Sequence, residues 1–249
     1  MTADDLVTAD ATTPAHAQAC REVWDKNNFW NAGPYTPWRY KDAGAPPSLV
    51  FPGIGGGPSW GGTAVDPSLQ YIFLASKDAP VTGWIQKNPK YAPGNTTEFP
   101  YVRVGGPAIS APLKDAGGVT IATLPCFKPP WSFLIAVNAK TGDFAWKVPL
   151  GVNEALPEGK RNVGSPGAGG PMTTAGGLVF VGATADHRFR AFDSRTGKEL
   201  WSTQLDYNVT AIPMTYQGKN GKQYVAVVAA SGRTQGSSNT ESLITFSLP

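Results

Sequence analysis

An eleven-residue motif occurs twice in this chain, at residues 136–146 and 191–201, so that the copies start 55 residues apart. Both copies follow the pattern A-x-[D/N]-x-[K/R]-T-G-x-x-x-W. The Asn or Asp starts a turn by bonding to the backbone, and the Gly supplies the positive φ of a tight hairpin. The closing residue, Trp146 or Trp201, carries a large apolar face that can pack against a neighbouring unit. A repeat of this spacing predicts an array of small β units.

The composition supports an all-β fold. The chain has 249 residues, of which 29 are Gly and 23 are Pro, while eight Trp and eleven Phe supply a core. Many short strands joined by Gly and Pro turns are expected. The net charge of +3 comes from scattered charges, so nucleic acid is not expected as a partner. No apolar run approaches the length of a membrane span, and the first residues lack the pattern of a secretory signal.

The order of the segments predicts propeller blades. Residues 1–13 are polar and are expected to be loose, and helical spacing of apolar residues predicts a short helix from Pro14 to about Lys26. A loop-like stretch follows at 29–60, and strand patterns begin after it. Residues 78–130 are the least regular and are interpreted as an excursion from one unit. Four strands per roughly 50 residues is typical of propeller blades, and about four such units fit, the first incomplete.

The two cysteines and one of the two histidines match no zinc-binding or haem-attachment pattern. Cys20 and Cys126 fit neither a zinc knuckle nor a haem-attachment sequence. They pair if the compartment is oxidising, or they are two buried free thiols, and spacing alone does not decide between these. His16 is interpreted as a surface or capping residue of the first helix.

The final third of the chain carries motifs specific enough to indicate a family. They are GSPGAGGPMTTAGG at 164–177, VFVGATAD at 179–186, the second Trp motif, AIPMTY at 211–216 and NGKQYV at 220–225. In this order they resemble the C-terminal end of the pyrroloquinoline quinone (PQQ) dehydrogenases, nearest the membrane-bound glucose, polyol and quinate branch. Motifs in the same order upstream extend the resemblance over residues 15–249; they include AHAQACR at 15–21, WGG at 60–62 and LPC at 124–126.

The resemblance implies an all-β fold, in which residues 14–249 form part of an eight-bladed propeller of about twice this length. The missing N-terminal half, or a partner chain, would carry most cofactor ligands, the metal site and the catalytic Asp. The implied activity is PQQ-dependent oxidation of a sugar, polyol or other alcohol, with a membrane quinone as electron acceptor. PQQ and a Ca²⁺ or Mg²⁺ ion are the implied cofactors, and the periplasm is the implied location.

Three residues are candidates for contact with the cofactor, and none is assigned to catalysis or to a metal. Asp186 follows a strand, where the matching family Asp contacts the quinone; the alternative is an Asp that starts a turn. Trp60 follows a Gly-rich segment that allows a flat ligand to approach; the alternative is a packing Trp. His187, beside Asp186, can reach the same cavity.

Other residues are assigned structural or open roles. Trp146 and Trp201 are expected to dock successive blades. Arg233 binds an anionic group or is a solvated loop residue. Ser-His-Asp catalysis is not supported, because neither histidine neighbours a plausible nucleophile in the sequence. The rival interpretation of the whole chain is a non-catalytic propeller scaffold, similar to the outer-membrane assembly factors with Trp-docked blades.

Overall fold

The computed structural model describes residues 1–42, 44–94, 96–230 and 241–247. These residues form one α-helix, α1 (Pro14–Asn27), and seventeen strands. The strands are β1 (Ser48–Val50), β2 (Gly57–Asp66), β3 (Tyr71–Lys77), β4 (Val81–Lys87), β5 (Tyr101–Gly105), β6 (Ser110–Lys114), β7 (Thr120–Pro125), β8 (Ser132–Asn138), β9 (Phe144–Pro149), β10 (Met172–Thr173), β11 (Leu178–Val181), β12 (Arg188–Asp193), β13 (Glu199–Gln204), β14 (Asn208–Val209), β15 (Met214–Gln217), β16 (Gln223–Ala230) and β17 (Glu241–Ser247).

The chain divides into two compact units whose boundaries differ from the predicted 1–13 and 14–249. The first unit consists of residues 1–56, 78–129 and 155–160, and the second of 57–77, 130–154 and 161–249. Each unit is therefore assembled from segments that are separated in the sequence.

The second unit contains three antiparallel sheets. The first sheet has the strand order β2-β3-β8-β9 and the second has the order β10-β11-β12-β13. In the third sheet, β14 and β15 pair with successive parts of β16, and β17 pairs along the other edge of β16. Within the described residues these three sheets follow the blade pattern, which agrees with the predicted propeller segment, and no further, incomplete blade is seen before β2. The residues before β2 belong to the first unit instead.

The two motif copies occupy equivalent positions in the first and second sheets, as predicted. Trp146 pairs with Ala136 across β8 and β9, and Trp201 pairs with Ala191 across β12 and β13, with a register shift directly after each Ala. Both turns have a positive-φ Gly, Gly142 at 80° and Gly197 at 70°. Each of these glycines donates its N–H to the carbonyl of the turn's first residue.

Each Trp packs on the sheet that follows its own. The indole N–H of Trp146 donates to the Ser194 carbonyl at 3.1 Å, and a Cβ on Gly197 would lie 2.6 Å from the Trp146 ring. Trp201 lies edge-on to Phe246 of the third sheet, with ring centroids 5.3 Å apart. The docking role expected for both residues is therefore confirmed.

Buried apolar side chains from neighbouring sheets form the core of the second unit. One cluster joins the first two sheets, and its largest fully buried members are Phe73, Leu134, Leu150, Val179 and Phe192. A second cluster joins the second and third sheets through Phe189, Val209, Val227 and Ala229.

The excursion predicted at 78–130 is confirmed. β3 and β8 pair over all seven residues of β3, although more than fifty residues separate the two strands in the chain. The excursion itself forms β4 and β5, which join β1 in one sheet, and the hairpin of β6 and β7. These short strands, interrupted by Pro and Gly, were not predicted.

The first unit anchors the segment that was predicted to be loose, so that prediction is wrong. Leu6 and Val7 are buried, and Leu6 forms a β-bridge with Phe127. Two adjacent apolar residues in a polar segment are too few to show a period, which explains why the sequence did not indicate this anchor.

The predicted helix is confirmed as α1, but its histidine is not on the surface. Thr13 caps the helix by accepting the His16 backbone N–H. The His16 side chain is buried and its Nδ1 lies 3.0 Å from the Thr12 hydroxyl oxygen. Burial lowers the pKa of His16, although contacts with the Leu124 and Ala111 backbone oppose this.

Cys20 and Cys126 form a disulfide with a Cα–Cα distance of 5.1 Å. Both are buried, and the bond ties α1 to the residue after β7. Of the two possibilities that the sequence left open, the structure therefore has the pair.

Replacing both cysteines by Ser should lower the free energy of unfolding by about 2–5 kcal/mol, because the bond closes a long loop. Urea unfolding followed by far-UV circular dichroism measures this. A reducing agent should destabilise the wild type by a similar amount and leave the double variant unchanged. Equal stability of both proteins without reductant would contradict the prediction.

Gly197→Ala should destabilise the second unit more than Gly142→Ala. Both substitutions place a Cβ at positive φ, which costs about 1–2 kcal/mol. At Gly197 the new methyl group also collides with Trp146, whereas nothing lies within 4 Å of the position at Gly142. The overlap should add about 1–3 kcal/mol. Urea midpoints of the two variants test this, and equal midpoints would rule out Trp146 docking on this turn.

Candidate functional site

Four glycines allow backbone segments of the second unit to touch. A Cβ on Gly61 would overlap the backbone of Gly169 and Gly170, and a Cβ on Gly170 would overlap the backbone of Gly61. A Cβ on Gly167 would lie 2.6 Å from the Ala183 carbonyl oxygen. These four residues, Gly61, Gly167, Gly169 and Gly170, are called the glycine seam below. The seam brings a bulge of β2 and the turn after β11 to the same place.

Trp60 lies beside the seam, in the bulge of β2. The ladder between β2 and β3 pairs Pro58 with Ser76 and then resumes at Thr63 with Leu74, so Trp60 lies in the shifted segment. Its side chain is 70% exposed. A large aromatic face that is neither paired nor packed is available to a flat ligand. Trp60 therefore does not pack within the described residues, and its contact with a cofactor stays a prediction.

Lys77 ends β3 next to the same seam. It pairs with Gly57 on one side and Ser132 on the other, and it lines a small recess together with Gly167, Gly169 and Ala183. The side chain is half-buried, and burial lowers the pKa of its ammonium group. Nothing in the sequence pattern singled out this lysine.

Asp186 lies at the end of the β11–β12 turn and is engaged by five donors. Its Oδ1 accepts from the Thr184 hydroxyl at 2.6 Å, from the Arg188 N–H at 3.2 Å and from Arg190 Nη1 at 3.1 Å. Its Oδ2 accepts from the Val152 N–H at 2.8 Å and from Arg190 Nη2. The side chains of Asp186 and Arg190 are 6% and 1% exposed, so this is a buried bidentate ion pair.

The ion pair determines the charge state of Asp186. Burial alone would raise the pKa of its carboxyl group, but the hydrogen bonds and charge of Arg190, with Thr184 and the Val152 N–H, lower it below its ordinary value. The carboxylate has about four acceptor positions, and five donors occupy them. It reaches another ligand only by exchanging one of these partners.

His187 follows Asp186 in a left-handed conformation, with φ of 59°. Its carbonyl accepts the Leu205 N–H at 2.8 Å, which fixes the backbone of the turn. The imidazole is half-buried. Arg233 lies outside the described residues.

Among the described residues, one group of three neighbouring side chains consists of residue types that can bind a metal ion. The three are His16, Cys20 and Cys126. Two of its members form the disulfide. No described helix is long and apolar enough to cross a membrane.

Comparison with known proteins identifies the family. Residues 1–225 match the family described as PQQ glucose/ethanol/alcohol dehydrogenase, β-propeller domain. The chain belongs to this family. The match covers well over half of the chain and includes most of both units.

Relatives of this PQQ-dehydrogenase domain are much longer proteins. The quinate/shikimate dehydrogenase (quinone) of Acinetobacter baylyi is 38% identical, over 84% of this chain and 27% of its own length. The quinoprotein glucose dehydrogenase of Escherichia coli is 34% identical, over 85% of this chain and 28% of its own length. The chain therefore spans a little over a quarter of these relatives.

A solved structure supports the fold alone. The quinohemoprotein alcohol dehydrogenase of Comamonas testosteroni aligns with a TM-score of 0.52 and 24% identity, covering 85% of this chain and 31% of that one. The three sheets are thus part of a quinoprotein β-propeller.

The residues around the seam fit PQQ, a flat quinone with three carboxyl groups, only in part. Trp60 offers an open aromatic face, Lys77 offers a positive charge, and the seam glycines leave room for a ligand to approach the backbone. Asp186 does not contribute to this fit, because both of its carboxylate oxygens already accept hydrogen bonds from protein donors. The seam joins the Trp60 bulge to Ala183, three residues before Asp186, but no direct contact between Trp60 and Asp186 or His187 is observed.

Sequence reasoning missed Arg190 and Lys77. Arg190 lies on the same face of β12 as Phe192, because residues two apart in a strand point to the same side. An apolar residue at 192 could therefore have suggested that Arg190 points inward. The hydrogen bond from the Val152 N–H to Asp186 joins residues 34 apart in the sequence, so no local sequence pattern predicts it.

Asp186→Asn should lower the stability of the second unit by about 3 kcal/mol, because it leaves the Arg190 guanidinium buried with only Glu199 opposite. Urea unfolding measures the loss. Asp143→Asn, in an exposed turn, is the control and should change stability by less than about 0.5 kcal/mol. A stable Asp186→Asn variant would show that the ion pair contributes little.

The same pair has a predictable pH dependence. The pKa of Asp186 is lower in the folded than in the unfolded protein, so its contribution is complete above the unfolded value of about 3.9 and is lost as the pH falls through the folded value. The stability difference between the wild type and Asp186→Asn should therefore stay constant from pH 7 to 5 and shrink below about pH 4. A difference that already shrinks near neutral pH would contradict the assignment.

Proposed function

We propose that this chain is part of a PQQ-dependent dehydrogenase that oxidises a sugar, polyol or other alcohol. The family match over residues 1–225 carries the proposal. The exposed Trp60 face beside the glycine seam supports it, because a flat cofactor needs such a surface. The rival scaffold function lacks a comparable observation in its favour.

In the proposed reaction, the residues of this chain bind the cofactor and hold it in position. When bound, PQQ accepts the hydride equivalent from the substrate's hydroxyl-bearing carbon. Trp60 covers one face of the cofactor, and the seam glycines let the backbone come close to it. The Asp186–Arg190 pair acts as a positioning element that holds the β11–β12 turn and His187, which remains a proposed contact. Direct contact of Asp186 with the cofactor stays a prediction, and it requires Asp186 to give up one partner.

We further propose that the rest of the propeller, in a longer chain or a partner chain, completes the site. The relatives' greater length supports this. A Ca²⁺ or Mg²⁺ ion, bound by that other part, would act as a Lewis acid on the quinone, as the family resemblance implies. A membrane quinone is the proposed electron acceptor.

The proposed location is the periplasm. The Cys20–Cys126 disulfide supports an oxidising compartment, because such bonds form and persist outside the cytosol in mesophiles. The family resemblance is the second support.

The test uses the assembled protein, meaning this chain expressed together with the coding sequence that flanks it. After addition of PQQ and Ca²⁺, it should reduce an artificial electron-accepting dye in the presence of an alcohol or sugar, and the 249-residue chain alone should not. Failure of the assembled protein to bind PQQ would refute the function, and turnover by the isolated chain would refute the need for a further part.

Trp60→Ala should weaken PQQ binding by the assembled protein about 2- to 10-fold, the size of an aromatic stacking contribution. Phe144→Ala is the matched control, because Phe144 is also exposed but lies on the outer strand of the first sheet. A fluorescence titration with PQQ gives both affinities. Equal loss in the two variants would mean that Trp60 does not face the cofactor.

A further inference from the structure

We propose that Lys77 is an anion-binding residue of this site and receives one carboxylate of a ligand. The inference rests on the proposed function for the identity of that ligand. The carboxylate has two possible sources, the cofactor and a hydroxy-acid substrate, and the experiment below separates them.

Lys77 differs from every other cation that the described part of the chain buries at least in part. Arg39 lies over the Trp30 ring, Lys160 donates to two backbone carbonyls, Arg188 pairs with Glu154, and Arg190 pairs with Asp186. The side chain of Lys77 has no hydrogen bond, ion pair or ring contact with another described residue, and burial alone shifts the pKa of its ammonium group. A partly desolvated ammonium group without a partner is costly unless an anion compensates it.

The surroundings of Lys77 suit an anion. The recess that it lines is formed by small or uncharged residues, with no carboxylate among them. They are Gly57, Ala75, Ser76, Ser132, Leu150, Gly167, Ala168, Gly169 and Ala183. None of these lining residues competes with an incoming carboxylate for the cation.

The recess is small, which limits what Lys77 can receive. Its free volume is about 10 Å³, room for about one water-sized group. A whole ligand does not fit inside it, so a larger ligand would have to present its carboxylate to Lys77 from outside the recess. Two of the residues in the lining, Gly167 and Gly169, belong to the seam beside Trp60, so the same ligand can meet both.

Burial lowers the pKa of Lys77, which is consistent with a group prepared for an anion. Removal from water disfavours the charged form, and a bound carboxylate would restore it. The lysine thus gains charge stabilisation only when the ligand is present.

The assembled protein is titrated with four probes that differ in where they carry a carboxylate. PQQ is compared with its uncharged trimethyl ester, and quinate, a hydroxy acid, is compared with glucose. The variants are Lys77→Gln, which removes the charge, and Lys77→Arg, which keeps it. Lys140→Gln, in an exposed turn of the same sheet, is the control.

If the cofactor supplies the carboxylate, Lys77→Gln should weaken PQQ binding about 10- to 100-fold, as expected for a charge-assisted hydrogen bond. The ester should bind both proteins equally. If the substrate supplies it, the same loss appears for quinate and not for PQQ or glucose. In either case Lys77→Arg should recover most of the affinity and Lys140→Gln should match the wild type.

Unchanged affinities of Lys77→Gln for both PQQ and quinate would overturn the inference and leave the proposed function intact. Binding of quinate through Lys77 without any binding of PQQ would keep the inference and refute the function. Absence of binding by every probe would refute both. Circular dichroism of each variant confirms that the fold is retained.

Discussion

The second unit depends on the contact between one tryptophan and the turn of the following sheet. Trp146 donates its indole N–H to Ser194 and lies flat against Gly197, where no side chain larger than hydrogen fits. Glycine is therefore required at position 197 for two reasons: the backbone has a positive φ, and the Trp146 ring occupies the place of a Cβ. The second motif copy therefore both closes its own hairpin and receives the Trp of the preceding sheet. The residues that the two copies share close the same kind of hairpin in each sheet.

A similar constraint operates where the three sheets approach one another. The seam glycines remove side chains from segments whose backbones touch, and the bulge in β2 leaves Trp60 on the surface. Lys77 ends its strand at the same place. Backbone packing thus produces the surface that we propose for the ligand, an aromatic face and a cation beside an accessible backbone. The ion pair of Asp186 and Arg190 holds the adjoining turn in place.

Features with a local sequence signal could be predicted. The helix, the Trp hairpins and the long insertion between β3 and β8 follow from periodicity, turn residues and the repeat. The anchored N-terminal segment and the strands β4 to β7 were not predicted, because short segments with few apolar residues or many prolines show no period. The disulfide could not be decided, since 106 residues separate its cysteines.

In the candidate site, too, some residues could be predicted from local sequence and others could not. Trp60 was selected from a Gly-rich segment and a family resemblance, and its exposure agrees with that choice. Asp186 was selected in the same way, yet its partners come from Val152 and Arg190, which only the folded chain brings together. Lys77 resembles any strand-end lysine in the sequence, and its lack of a partner is a property of the surrounding fold.

We propose above all that the ligand meets this chain at the glycine seam. Hydrogen–deuterium exchange of the assembled protein, with and without PQQ, tests it most directly. PQQ should slow exchange at backbone amides of residues 57–62, 167–170 and 183–184, and leave the outer strands β9 and β13 unchanged. Slowing confined to β9 and β13, or to the first unit, would contradict the claim and place the ligand elsewhere.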